Sequence, residues 1–267
     1  MGYYSRARNL HFTAKHIVKE LNGKFPDSFQ ELLKLKGVGE YTAAAIASIA
    51  FNETVPAVDG NVFRVFSRYF NIHRDISLPK TRKYFFELGK EIIDQNRPGD
   101  FNQAIMELGA TICTPKNPKC GICPVNESCE ALKQNTIHLL PIKSKKVKVK
   151  KRNFHFLEFT DGENFLLKKR TEKDVWRNLY NFPMIEIKEN EDFDSGHLNL
   201  KSEPKKTFED IHILTHQKLK ISFWRIPVEK SELKQLSDRF GAQIVSSETI
   251  DEFPLPRPME KYLNEII

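Results

Sequence analysis

The sequence predicts two domains of different class: an all-α first half and a strand-rich α+β second half. A chain of 267 residues exceeds the usual single-domain size, and its 40% hydrophobic content is enough for two ordinary cores. The run 143-KSKKVKVKKR-152 carries seven basic residues and no acid, which equals the whole formal excess of +7. Such a run is either a solvated linker or a segment that tracks phosphates, and on both readings it separates two domains. The apolar period also changes across it, from helical spacing to short β-rich runs.

The first half is legible from Pro26 onward. Ser28 and Glu31 form a capping box, and Leu32, Leu33 and Leu35 give the helix that follows an apolar side. Gly37 and Gly39 break that helix. A second begins near Tyr41-Thr42 and runs through TAAAIASIA, whose small side chains permit close packing. The hairpin glycines let backbone amides approach a charged group, and the second helix offers its positive end, so a phosphate is a natural ligand. A bare GxG most often only caps a helix, whereas the full L-x-G-V-G-x-x-T-A arrangement of Gly37, Val38, Gly39 and Thr42 is more specific. Helical spacing continues through Val62, Val65, Phe66 and Tyr69, then Tyr84, Phe85, Leu88 and Ile92, then Phe101, Ile105, Leu108 and Ile112. After the basic run, FHFLEF (154 to 159), NFLLKK (164 to 169) and KLKISFWRI (218 to 226) read as strands, set off by turns such as Asp161-Gly162. No solenoid repeat, bilayer-length apolar run or secretory leader is visible, and the expectation is a cytoplasmic protein, nucleoid-associated if bacterial.

All four cysteines lie in 113-CTPKNPKCGICPVNESC-129, spaced C-x6-C-x2-C-x5-C. In a reducing compartment such clustering points to metal rather than disulfides. Structural zinc sites usually show two short Cys pairs, and only Cys120 and Cys123 form one here. From the residues alone, zinc and an iron-sulfur cluster both stay open.

Three segments carry a family resemblance. LKGVGEYTAAAI resembles the helix-hairpin-helix of the DNA glycosylase superfamily that includes endonuclease III, 58-VDGNVFRVFSR-68 resembles its catalytic-aspartate segment, and the cysteine spacing matches its four-iron four-sulfur loop. VDGNV, FNQAIMELGATIC (101 to 113) and GYYSRARNLH (2 to 11) are most similar to MutY-type adenine glycosylases. In the second half, 174-DVWRNLYNFP-183 and 211-IHILTHQKL-219 resemble the Nudix-like domain that reads 8-oxoguanine opposite the adenine; the glutamate-rich hydrolytic signature is absent, so pyrophosphatase activity is not expected. The resemblance implies a multidomain chain. Residues 1 to 135 would form an all-α helix-hairpin-helix glycosylase domain with a 4Fe-4S cluster on Cys113, Cys120, Cys123 and Cys129. Residues 136 to 152 would be a basic linker, and 153 to 267 an α+β Nudix-like domain.

The implied chemistry is base excision from double-stranded DNA containing A:8-oxoguanine or A:G mispairs, by a monomer with no membrane role. Endonuclease III carries an attacking lysine where this chain has Tyr41; a phenol forms no Schiff base, so a bifunctional glycosylase-lyase is disfavoured and hydrolysis to an abasic site is expected. Breaking the N-glycosidic bond builds positive charge on the sugar, and Asp59 is the candidate carboxylate to stabilise it. Asp59 also reads as the cap of the helix containing Val62, which would fix its position. The resemblance adds Tyr41 and Asn61 as hydrogen-bonding partners in the pocket. Without it, Tyr41 reads as packing and Asn61 as part of a turn. It also implies DNA contacts at Tyr3, Gly37, Val38, Gly39, Thr42, Lys116 and Lys119, and 8-oxoguanine recognition by Leu214, Thr215 and His216. Trp176 and Phe182 read as core or rim of the second domain rather than as DNA contacts. In the family, a glutamate ahead of the GYY segment protonates the leaving adenine. It has no counterpart in this sequence, and Glu31, Glu40 and Glu53 read as caps or surface charges. The alternative expectation is therefore a catalytically impaired, iron-sulfur-bearing DNA-binding chain.

Overall fold

The computed structural model describes residues 4–144, 148–188, 191 and 193–266. The chain divides into two compact units, Tyr3–Lys146 and Val147–Ile267. Tyr3, one of the expected DNA contacts, lies outside the described residues, as do Lys145 and Lys146 of the basic run.

The first unit is helical: α1 (Tyr4–Glu20), α2 (Phe29–Leu32), α3 (Glu40–Phe51), α4 (Gly60–Tyr69), α5 (Pro79–Ile92), α6 (Pro98–Glu107) and α7 (Glu130–Lys133). Ser28 caps α2 as expected, its hydroxyl accepting from Glu31 N at 3.4 Å, but the box is only half formed. Glu31 turns to Lys34 at 2.5 Å, and the orphan amide of Phe29 is taken by Glu53 Oε2 at 2.6 Å. Ala43, Ala44 and Ala47 of α3 are fully buried. α6 lies against the backbone of α3 through Gly99, which has no side chain to intervene: a Cβ there would fall 2.8 Å from the Ser48 carbonyl oxygen. One core gathers Ile17, Phe29, Leu32 and Leu35 with these alanines. The other gathers Val62, Val65 and Phe66 around fully buried Phe85. The expected helix through Ile112 is α only to Glu107, then widens into a π-helical turn, Leu108–Ile112.

The sequence expectation of a linker over 136–152 differs from the structure. Residues 136 to 144 pack on the first unit: Thr136 Oγ1 donates to Asn71 at 2.7 Å, Ile76 N to the Ile142 carbonyl at 2.9 Å, and the Ser144 hydroxyl to Asp75. Hydrogen bonds from Ser144 and Ser77 hold the Asp75 carboxyl well below the usual carboxylate range. At the other end of the run, Lys150–Arg152 already belong to a strand.

The second unit is built on β1 (Lys150–Thr160), which pairs antiparallel with β2 (Asn164–Lys169) and β4 (Met184–Ile187) and parallel with a later strand, β6. β3 (Tyr180–Asn181) extends β2, β5 (Lys205–Ile213) and β6 (Gln217–Pro227) form a hairpin, and β7 (Gln243–Ser246) closes the far side of β2. Helices α8 (Lys230–Phe240) and α9 (Arg257–Ile266) flank the sheet. Strand alternation puts Phe154, Phe156, Leu219, Ile221 and Phe223 on one buried face. There Tyr262 of α9 stacks on Phe223 with centroids 4.1 Å apart and planes 3° from parallel. Buried Glu158 is answered by Arg225 through two bonds, at 2.9 and 3.0 Å, and by the Tyr262 hydroxyl. Trp176 and Phe182 are buried in this core, as expected.

Truncating Phe223 leaves a void beneath Tyr262, and Phe223→Ala should cost about 3–5 kcal/mol in urea unfolding followed through the second unit. The ion pairs of Arg152 with Asp174 (2.7 Å) and Glu186 (2.6 Å) give an acid dependence. Hydrogen bonds from Arg152 lower both carboxyls below their ordinary 3.8 and 4.5. Their contribution is therefore complete above those values and is lost as pH falls through the depressed ones. Unfolding measured from pH 6 to pH 3 should show this loss in the wild type and a shallower decline in Arg152→Met.

Candidate active site and cysteine loop

Asp59 sits in extended backbone as the N-cap of α4. Its Oδ1 accepts from Asn61 N at 2.8 Å and Val62 N at 2.9 Å, and its Oδ2 from Asn61 Nδ2 at 3.0 Å. Three donors thus fix the carboxylate at the positive end of a helix. Asn61 is held in turn: its Oδ1 accepts from Arg64 Nη2 at 2.8 Å. The buried Arg64 guanidinium also donates to the carbonyls of Gly109 at 2.7 Å and Cys113 at 2.6 Å. One turn later, buried Arg68 donates to the carbonyls of Thr114 at 2.8 Å, Pro115 at 3.2 Å and Leu140 at 3.0 Å.

The segment leading into Asp59 is anchored by Asn102. This buried amide accepts from Ala57 N at 3.0 Å and donates to the Val55 carbonyl at 2.9 Å and to Ser48 Oγ at 2.8 Å, tying α6, α3 and the approach to α4 together. Tyr41, in the first turn of α3, remains 39% exposed and donates to Met106 Sδ at 3.1 Å. Burial, and next the Asp59 carboxylate, raise its pKa above the ordinary value, so the phenol keeps its proton near neutral pH. Tyr41 is thus within electrostatic reach of the Asp59 carboxylate that Asn61 holds. Of the other carboxylates considered from sequence, Glu31 is paired with Lys34 and Glu53 caps α2.

The hairpin before α3 has the expected form. Gly37 adopts φ +85°, a left-handed conformation, and Val38 N bonds the Leu35 carbonyl at 3.1 Å. Gly39 then caps α3 with no side-chain acceptor for the first amides of the helix.

The four cysteines line one pocket together with Ile112, Pro118, Leu132 and Ile137. Burial, and next the charges of Cys113, Cys129 and Cys123, raise the Cys120 thiol, as expected when four sulfurs converge. Arg68 Nη1 lies 3.4 Å from Cys113 Sγ and supplies a compensating cation. Among the described residues, no three His, Cys, Asp or Glu side chains surround a single-ion position. Four converging thiols in an apolar pocket, with a cation at one sulfur, do fit an iron-sulfur cluster. Lys116 and Lys119 stand exposed on this loop.

In the second unit, β5 and β6 are joined by a two-residue tip, Thr215-His216, closed by Leu214 N on the Gln217 carbonyl at 2.8 Å. Thr215 and His216 are exposed at this tip, and Leu214 is half-buried beside them.

Comparison with known proteins agrees with this layout. The helix-hairpin-helix motif matches residues 20–49, the iron-sulfur binding domain of endonuclease III residues 113–129, and the NUDIX domain residues 155–265. The adenine DNA glycosylase of Buchnera aphidicola subsp. Schizaphis graminum is 35% identical over 265 residues, 98% of this chain and 76% of that protein. The chain belongs to the adenine DNA glycosylase family. The family comprises hydrolases of N-glycosyl bonds that act in base excision repair. The Arabidopsis thaliana relative is 38% identical over 83% of this chain and 40% of its own length, and the Homo sapiens relative 49% identical over 49% and 24%. The chain thus spans less than two thirds of several of these relatives. A solved thermostable thymine-DNA glycosylase aligns with 49% of this chain and 59% of its own at 32% identity, with a TM-score of 0.44. Among the described residues, no helix is long and apolar enough to cross a membrane.

Sequence reasoning missed Arg64, Arg68 and Asn102. One signal was available: Arg64 and Arg68 are four apart within FRVFSR, among the apolar positions of α4, where a charged side chain needs a partner. Gly109 was also missed, and it is required by contact: a Cβ there would fall 2.6 Å from Asn61 Cβ. Gly109→Ala should therefore destabilise the first unit by about 1–3 kcal/mol in urea unfolding, despite the better helix propensity of Ala.

Proposed function

We propose that this chain removes adenine mispaired with 8-oxoguanine or guanine in duplex DNA, by hydrolysis of the N-glycosidic bond and without cutting the strand. The observation that carries the reading is the Asp59 carboxylate, fixed by Asn61 N, Val62 N and Asn61 Nδ2 at the start of α4. As the bond to the flipped adenine breaks, charge builds on the sugar, and a preorganised carboxylate stabilises it at no cost in reorganisation. Tyr41 acts as a neutral hydrogen-bond donor, since its present acceptor, Met106 Sδ, is weak and readily replaced by a substrate oxygen. Asn61 aims the carboxylate. Water is the final nucleophile, because no lysine stands at Tyr41's place to form a Schiff base. Departure of the adenine also requires a proton.

DNA is held by the amides and side chains of Gly37, Val38, Gly39 and Thr42, and by Lys116 and Lys119 on the cysteine loop. Leu214, Thr215 and His216 read the 8-oxoguanine. Cys113, Cys120, Cys123 and Cys129 hold a 4Fe-4S cluster, which supplies a covalent hub for the loop. The protein acts as a monomer. The exposed Thr215-His216 tip and the converging thiols support these assignments.

Purified protein incubated with a duplex carrying A opposite 8-oxoguanine should yield strand breaks only after alkali, and Asp59→Asn should slow adenine release by at least ~100-fold. Breaks without alkali would overturn the hydrolytic reading. Tight binding with no release favours a DNA-binding role alone. Replacing Cys123 by Ser should lower iron per chain, read by elemental analysis, and weaken duplex binding; unchanged iron content contradicts the ligand assignment.

A further inference from the structure

The sheet of the second unit buries one face under α9, but covers the other only in part. On that second face α8 packs over the end at Leu157, Phe159 and Ile226. The end nearer the Thr215-His216 tip carries a cavity of about 640 Å³. Lys206, Lys218, Lys220 and Glu209 line it, with His155, Phe193 and Trp224 as its wall. The wall is fixed. Phe193 stacks on His155 with centroids 5.3 Å apart at 9°, lies 4.4 Å from Trp224, and Trp224 Nε1 donates to His155 Nδ1 at 3.0 Å. These rings are engaged with one another, so the cavity is a rigid trough rather than a platform for stacking a base.

Among the described lining residues, the cations Lys151, Lys206, Lys218 and Lys220 outnumber the carboxylates Glu191 and Glu209. Glu209 is shared between Lys206 and Lys220, the latter at 3.6 Å, and among the described residues Lys218 has no carboxylate partner. Burial, and next Lys206 and Lys220, hold His155 below its ordinary pKa, which favours the neutral ring. Lys218 and Lys220 are two apart on β6, and their side chains leave the same face about 7 Å from one another. Lys151 of β1 stands directly beside Lys218 in the parallel register. The row begins one residue after Gln217, which closes the tip. A strand engaged at Thr215-His216 would next pass over Lys218 and Lys220.

We propose that this trough is a phosphate groove for the DNA strand whose base is read at the tip, with Lys218 and Lys220 each neutralising one backbone phosphate. The proposal rests on the reading of the chain as a duplex-binding glycosylase. Its test is the salt dependence of duplex binding by the full chain, read by fluorescence anisotropy from low to moderate salt. Each phosphate contact adds about 0.9 to the slope of log affinity against log salt. The double variant Lys218→Gln/Lys220→Gln should therefore lose about 1.8 from the slope. It should keep the preference for an 8-oxoguanine duplex over an undamaged one. Lys218→Arg/Lys220→Arg should restore the slope, and Lys234→Gln on α8 should leave it unchanged. A wild-type slope in the glutamine variant overturns the groove while leaving the glycosylase reading intact. Failure of the wild type to bind any duplex overturns both. If inorganic pyrophosphate quenches tryptophan fluorescence in the wild type but not in the glutamine variant, and the slope is unchanged, the trough takes a small phosphate ligand and the proposal falls.

Discussion

The first unit depends on one buried cation. The Arg64 guanidinium reaches Asn61 Oδ1 and the carbonyls of Gly109 and Cys113, so the side chain that aims Asp59 and the first residue of the cysteine loop share a single anchor. Burying a guanidinium is costly unless its donors are matched. Here the π-helical turn at Leu108–Ile112 presents the Gly109 carbonyl from within it and the Cys113 carbonyl from just after it. Arg68 repeats the device one turn on, fixing Thr114, Pro115 and the Leu140 segment. Two arginines on one helix thereby clamp the loop and the tail that follows it to the element that begins with Asp59.

This arrangement connects the cysteine loop to the Asp59 carboxylate through Arg64 and Asn61. The four thiols converge in one pocket, the loop that carries them places the Cys113 carbonyl, and that carbonyl accepts from Arg64, which reaches Asn61. Asn102 provides the complementary restraint from the other side by fixing Ala57, two residues before Asp59. The carboxylate is therefore positioned from α6 and from the loop as well as by its own helix cap. Catalytic groups held from several sides lose little to reorganisation when charge develops.

Much of this was readable in the sequence where local physics decides. The period of the apolar residues located α4, α5 and the start of α6, glycine chemistry located the hairpin before α3, and Asp59 announced itself as a cap. The cysteine spacing left zinc and iron-sulfur open, and the choice came from resemblance to a family. What stayed hidden depends on partners distant in sequence. Arg64 and Asn102 act on groups 45 or more positions away, and no local pattern shows which carbonyls they meet. The basic run was half misread for the same reason. Lys150 to Arg152 resemble a solvated tract, yet Arg152 enters the sheet because Asp174 and Glu186 wait for it. Similarly, 136 to 144 carry little periodicity but find acceptors on the first unit.

If Arg64 positions Asn61 and Asp59 rather than merely stabilising the fold, its loss should be felt in the rate more than in affinity. The direct measurement is single-turnover adenine release by Arg64→Met at saturating duplex, beside duplex affinity and iron content on the same preparation. A misplacement of about 1 Å can cost on the order of 100-fold in rate. The expected result is a loss of that size with affinity within roughly threefold and iron retained. A wild-type rate from a variant shown to be folded and iron-loaded would contradict the account.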